Sequence, residues 1–209
     1  MYYLHKHGAA SMTEHSERTR HARLLERATR ILAMRDHSEA EFRRKLVIAT
    51  ERAAQFSRSE TPPEPLTPEE IDRVVEWCYQ HNWLDDARFA ERYLAGRSRK
   101  GYGPQRIRLE LGQKGVDKAL IDEAMFNTET DWQSLAFSLA ERKFGLPLPT
   151  EWKEKAKVQR YLMTKGFFME DIRSVFTNFD DLTPMGFYFP PKKIYLIHHF
   201  LFVCRRRQM

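Results

Sequence analysis

The sequence predicts an all-α protein, a tandem and elongated array of three-helix repeats with about nine helices. Three observations predict it. Apolar positions in the long segments recur at i, i+3, i+4 and i+7, the spacing of a buried helical face. Glycine is scarce, at 9 of 209 residues, while apolar residues reach 42% and charged residues 31%, a balance that suits solvated helices around real cores. One short residue pattern also recurs three times down the chain, which is the mark of a repeat protein.

The first helix is expected from about Ser16 to Met34, with Leu24, Leu25, Ala28, Ile31 and Leu32 on one face. Ser38 and Glu41 form a capping box for the second, which turns Phe42 and Leu46 inward. Four prolines among Ser, Thr and Glu over 57–68 read as a linker. Thr67, Pro68, Glu69 and Glu70 then start a third helix, with Thr at the N-cap and acids in the first turn. Its register turns Ile71, Val74, Val75 and Cys78 inward, so Cys78 is expected in the core rather than as a reactive thiol.

Asp85 caps the fourth helix, which buries Phe89 and Tyr93. Gly101, Gly103 and Pro104 break the chain before a helix carrying Ile107 and Leu111. That helix stops at Gly115, with Val116 placed to complete a Schellman motif against Leu111. Asp117 opens a short helix through Leu120, Ile121, Ala124 and Met125. Helices over 131–144 and 151–165, and a last one from about Met169 to Phe179, complete the array.

The recurring pattern is a basic residue, an aromatic ring two later, an apolar residue at +7, Arg at +8 and an apolar residue at +11. It is read as Arg35, His37, Phe42, Arg43, Leu46; as Lys100, Tyr102, Ile107, Arg108, Leu111; and as Lys165, Phe167, Ile172, Arg173, Phe176. A basic residue at a helix C-terminus complements the carbonyl end of the dipole, the ring fills the corner, and +7 and +11 face the core one turn apart. Arg at +8 is rotated about 100° from +7 and leaves the core edge. The elements are divided as an N-terminal extension over 1–11, expected to be disordered or non-native, a first repeat over 12–56, a Pro-rich linker over 57–67, a second repeat over 68–127, a third over 128–181, and a basic and apolar extension over 182–209 with no assigned role.

The isoelectric point is near 9.3, but the charge is unevenly placed. Lys6, Lys192, Lys193 and Arg205 to Arg207 account for the whole net charge of +6, so residues 12–181 are neutral. Within that body, residues 88–114 carry eight basic groups against Glu91 and Glu110, and residues 60–76 carry six acids against Arg73. Segregation of this kind suits docking on another charged surface in a fixed orientation. The candidate contacts with a partner or with nucleic acid are Arg88, Arg92, Arg97, Arg99, Lys100, Arg106 and Arg108, together with the junction residues Arg35, Arg43, Lys165 and Arg173.

No catalytic constellation is visible. Asp85 and Asp86 serve as cap and first-turn acid, the eight histidines are scattered, and no Gly-rich phosphate loop follows a strand. Cys78 and Cys204 stand far apart without metal spacing, which fits a reduced, cytoplasmic protein with no cofactor. His198 and His199 point two ways on any regular element, against a metal site. The run Ile194 to Val203 is too short for a bilayer, which needs about 20 residues.

Trp83 to Ala90, then Arg97 to Pro104 with Ile107, Leu111 and Lys114 to Val116, closely resemble the signature of the RecX family. Arg30 to Ser38 and Lys165 to Ile172 resemble that family's first and third units, and the resemblance covers roughly residues 18–181. It implies a monomeric, non-enzymatic regulator of three tandem three-helix repeats. Such a regulator binds along the groove of the RecA–single-stranded DNA filament and inhibits strand exchange, ATP hydrolysis and the co-protease activity that triggers the SOS response. A weak direct contact with single-stranded DNA is compatible with it. The alternative is a helical single-stranded DNA-binding protein with no recombinase partner; a neutral body argues against that, because counterion release needs a basic footprint.

Overall fold

The computed structural model describes residues 6–56 and 65–177, which form nine helices and no strand. They are α1 (Lys6–Met34), α2 (Glu39–Gln55), α3 (Pro68–Gln80), α4 (Asp86–Arg99), α5 (Pro104–Gln113), α6 (Lys118–Asn127), α7 (Trp132–Phe144), α8 (Trp152–Lys165) and α9 (Met169–Thr177). Helix α1 begins at Lys6, earlier than its apolar stripe, which marks only the part that packs. Residues 57–64 of the expected linker and the whole 182–209 extension lie outside the described residues.

Each boundary has a local cause. Ser38 Oγ accepts the Glu41 N–H at the start of α2. At α3, Thr67 and Glu70 close a reciprocal capping box with Pro68 in the first turn. Asp85, Asp117 and Asp131 cap α4, α6 and α7 through their carboxylates. Helices α5 and α8 both end in a Schellman arrangement. Gly115 N–H donates to Gly112 O (2.9 Å) and Val116 N–H to Leu111 O (3.2 Å); Gly166 N–H donates to Met163 O (2.9 Å) and Phe167 N–H to Leu162 O (3.2 Å).

The cores correct the expected repeat boundaries. Val74, Val75 and Cys78 of α3 pack with Leu24, Ala28 and Leu32 of α1, Phe42 and Leu46 of α2, and Leu84. Thus α3 closes the first unit instead of opening a second one at Pro68, since two helices alone leave Phe42 and Leu46 without a third wall. The second core joins α4, α5 and α6 through Phe89, Leu94, Ile107, Leu111, Val116 and Ile121. The third joins α7, α8 and α9 through Leu139, Val158, Leu162, Phe167, Ile172 and Val175. Every substantial helix-to-helix packing lies within one of these triplets, so the fold is a modular array of three units.

The repeated junction is therefore a feature of helix pairs rather than of units. It lies between α1 and α2, between α4 and α5, and then between α8 and α9. At its apolar positions Phe42, Leu46, Ile107, Leu111 and Ile172 are buried as expected, as is the corner ring Phe167, whereas Phe176 is only half-buried, near the end of α9.

The units meet end to end along their middle helices. The N-cap Ser38 of α2 donates its hydroxyl to Lys114 O at the C-terminus of α5 (2.6 Å). Gly103 N–H donates to Lys165 O (2.8 Å) and Gln105 N–H to Gly166 O (3.0 Å), so the start of α5 sits on the end of α8. The second helices of the three units thus form one head-to-tail column, α8 to α5 to α2. At the α8–α5 joint free N–H groups meet free carbonyls, at the α5–α2 joint a hydroxyl meets one, and in both an N-terminus faces a C-terminus, as the helix dipoles favour. Asp86 adds a further tie by accepting the Glu39 N–H from the first unit (2.8 Å).

Candidate functional site: the basic junctions

The first junction is a closed charge network. Arg35 bonds Glu41 through both guanidinium nitrogens, and Lys114 of the second unit reaches the same carboxylate at 3.4 Å. Burial pushes the Glu41 carboxyl up, but the Arg35 hydrogen bond and the Lys114 charge outweigh it and hold the group down at about 2. A depressed carboxylate stabilises the fold fully above its unfolded value near 4.5, and that stability is lost as pH falls through about 2. The wild type should therefore exceed Glu41→Gln by on the order of 2 kcal/mol at neutral pH. Urea unfolding between pH 5 and pH 2 (roughly the titration window) checks this: the gap should close towards the acid end, and a constant gap would refute the network.

His37 fills the corner as expected and is buried, with a polar role that the ring position alone does not reveal. Nδ1 lies 2.7 Å from Arg35 O and Nε2 lies 2.9 Å from Lys45 Nζ. The ammonium can only donate, so Nε2 accepts and Nδ1–H donates, which fixes a neutral tautomer. Burial, then the Arg35 and Lys45 charges, lower its pKa.

At the middle junction the cations are stacked on tyrosines and tied to one acid. Arg97 lies 3.8 Å over the Tyr102 ring centroid, with Arg106 at 4.6 Å and Lys165 at 5.0 Å. The ladder continues from Tyr93, against Lys114 and Arg97, to Tyr161, against Lys165 and Lys143. It crosses from the second unit into the third. Glu110 accepts from Arg97 Nε (2.6 Å), Arg106 Nε (3.0 Å) and Tyr93 Oη (2.9 Å). Burial raises the Glu110 pKa, and these three donors bring it below the ordinary carboxylate value.

Most of the predicted contact residues are thus committed inside the protein. Arg88 donates to Asn82 O (3.0 Å), Arg92 pairs with Asp36 of the first unit (2.7 Å), and Arg108 pairs with Asp122. Arg43 bridges Glu39 (2.7 Å) and Asp72 (2.6 Å). Arg99 lies along its own helix, with Nε on Ala95 O (3.1 Å). Arg99, Lys100 and Arg173 remain exposed and have no carboxylate partner among the described residues. The basic segment 88–114 is thus partly neutralised, Arg92 by Asp36 and both Arg97 and Arg106 by Glu110, and Asp36 is an acid that sequence spacing does not place beside it. Among the described residues no group of three His, Cys, Asp or Glu could hold a metal, and no helix is long and apolar enough to cross a membrane.

Two family models match these units: the second three-helix domain of RecX over residues 85–125 and the third over residues 129–176. Curated relatives named Regulatory protein RecX align over most of both chains. That of Serratia proteamaculans is 56% identical, covering 75% of this chain and 97% of its own; that of Escherichia coli is 51% identical, covering 81% and 100%. The chain belongs to the RecX family. A RecX crystal structure from Lactobacillus salivarius has a TM-score of 0.61 at 20% identity, covering 77% of this chain and 96% of that one. At that identity the likeness speaks for the RecX fold. The second-domain match begins at Asp85, the cap of α4, in line with the core-based assignment of α3 to the first unit.

Proposed function

We propose that this RecX-family chain binds the RecA–single-stranded DNA filament in the cytoplasm and inhibits its recombinase, ATPase and co-protease activities, limiting recombination, DNA repair and the SOS response. The observation that supports this reading is the α8–α5–α2 column, which holds three similar units in fixed succession. A rigid succession of like units suits a ligand that itself repeats, because each added contact then costs little further ordering. Arg99 and Lys100, exposed at the end of α4, and Arg173 on α9 are the junction cations free to meet acidic side chains or phosphates of the filament. Family relatives carry the name of regulatory proteins, which fits a role through binding rather than through chemistry.

A titration tests it. Added below the recombinase concentration to RecA, single-stranded DNA and ATP, the protein should suppress ATP hydrolysis, and excess free duplex DNA should not restore it. Unchanged hydrolysis at saturating protein would sink the reading, and full restoration by free DNA would point to DNA binding instead.

A further inference from the structure

Helix α8 carries more cations than its acids can neutralise. It carries five basic residues against the single acid Glu154. Lys153, Lys157 and Arg160 stand at i, i+4 and i+7 and all three are exposed. At 100° per residue they fall within about 60° of one another, with Thr164 in the same row. Lys153 and Arg160 have no carboxylate partner among the described residues. Lys157 has only a solvent-exposed pair with Glu154 (2.6 Å), which contributes little and is easily exchanged.

Two further observations say what such a row would meet. Trp152, at the head of the helix, leaves 79% of its surface in water, an unusual position for a large ring with no ring or cation partner among the described residues. At the other end Thr164 lines a groove between α8 and α5, whose wall includes Leu109 (62% exposed), Met163 (53% exposed), the amides of Gln105 and Gln113, and the paired Arg106 and Glu110. The row from Lys153 to Thr164 spans about 16 Å. Phosphates along a line of cations, a free ring at one end and a mixed groove of apolar side chains and amide hydrogen-bonders at the other form the layout that suits a single strand with exposed bases. An acidic protein surface would use the cations but would give Trp152 and the groove nothing to receive.

We infer that the outer face of α8 in the third unit binds single-stranded nucleic acid, with Lys153, Lys157 and Arg160 on successive phosphates and Trp152 stacked on a base. The cation row and Trp152 stand apart from Tyr102 of the middle junction, which has three cations on its ring and cannot accept a base; only the groove at the row's end borders that junction, through Arg106 and Glu110. The site does not depend on the filament reading, since it needs no recombinase.

The test uses the full chain and a fluorescent oligothymidylate of about 20 nucleotides, long enough to exceed the row. Binding followed by anisotropy should weaken with salt, with a log–log slope steeper by about 2 than that of a Lys153→Gln, Lys157→Gln, Arg160→Gln variant, the share expected of three contacts on a single strand. That variant should bind at least about tenfold more weakly at 50 to 100 mM salt. Unlabelled strand should quench tryptophan emission in the wild type and leave it unchanged in Trp152→Phe. Circular dichroism checks that both variants fold. Wild-type affinity and slope in the folded triple variant would overturn the inference, as would quenching retained by Trp152→Phe. Equal displacement of the strand by polyglutamate would also overturn it, because the face would then be reading charge alone.

Discussion

Replacing Gly103 by alanine is expected to undock the third unit from the second, at a cost of about 3–5 kcal/mol. The backbone at Gly103 is ordinary, with φ −82°, so the cost comes from space rather than from conformation. A Cβ there would lie 2.5 Å from the Phe167 backbone nitrogen and closer still to the Gly166 carbonyl. Backbone on the far side cannot swing away as a side chain could. The hydrogen bonds from Gly103 and Gln105 to the end of α8 would break together, and the column would be cut between α5 and α8. The third unit keeps its own core of Leu139, Val158, Leu162, Ile172 and Val175, so it should stay helical. Native-state hydrogen exchange should then show lost protection at Gly103 and Gln105, and one thermal transition should resolve into two. Gly96→Ala is the control: nothing lies within 4 Å of its Cβ position, and the helix should gain up to about 1 kcal/mol. Equal melting of the two variants would show that the joint is not close-packed.

The joint illustrates what spacing reveals and what it hides. Helix starts at Ser38, Thr67, Asp85 and Asp117, and the Schellman end at Gly115, are local events of four or five residues, so their residue types expose them directly. Burial of Phe42, Leu46, Cys78, Ile107 and Leu111 follows from helical period and was equally legible. Unit boundaries were not. Shifting the sequence by the 65 residues that separate Lys100 from Lys165 in the recurring pattern pairs Val74 with Leu139 and Val75 with Ala140, aligning α3 with α7, yet α3 completes one core and α7 begins another. Periodicity records that two helices present similar faces; it is silent on which neighbours those faces meet. The same gap explains the basic residues. Arg92 meets Asp36 across 56 positions and Arg97 meets Glu110 across 13, so the neutralising acids are distant in sequence and the basic segment 88–114 reads as more open than it is. The row on α8 was missed for the converse reason: its cations alternate with apolar residues and dilute into an ordinary amphipathic pattern.

Glu110→Ala should be the most damaging charge substitution in the chain, costing about 2–4 kcal/mol. The carboxylate is 16% exposed and its main partner Arg97 is 21% exposed, whereas Arg106 at 41% is partly solvated. Removing the acid leaves two guanidinium groups crowded over Tyr102 with no counter-charge, and leaves the Tyr93 hydroxyl without its acceptor. Burial and the Glu110 hydrogen bond together hold the Tyr93 pKa up at about 12; in the variant it should fall, which a tyrosine absorbance titration reads directly. The effect is a pairing effect, so a cycle separates it from lost packing. Arg97→Ala combined with Glu110→Ala should be less destabilising than the two single changes added, by about 1–3 kcal/mol. Strict additivity would mean that Arg97 is held by its stacking on Tyr102 alone. Since Lys165 of the third unit stacks on the same ring, Glu110→Ala should also loosen the joint that Gly103 closes. Under the filament reading, inhibition of ATP hydrolysis should then fall even though Arg99, Lys100 and Arg173 are untouched, because a contact surface carried on three units works only while their succession is fixed.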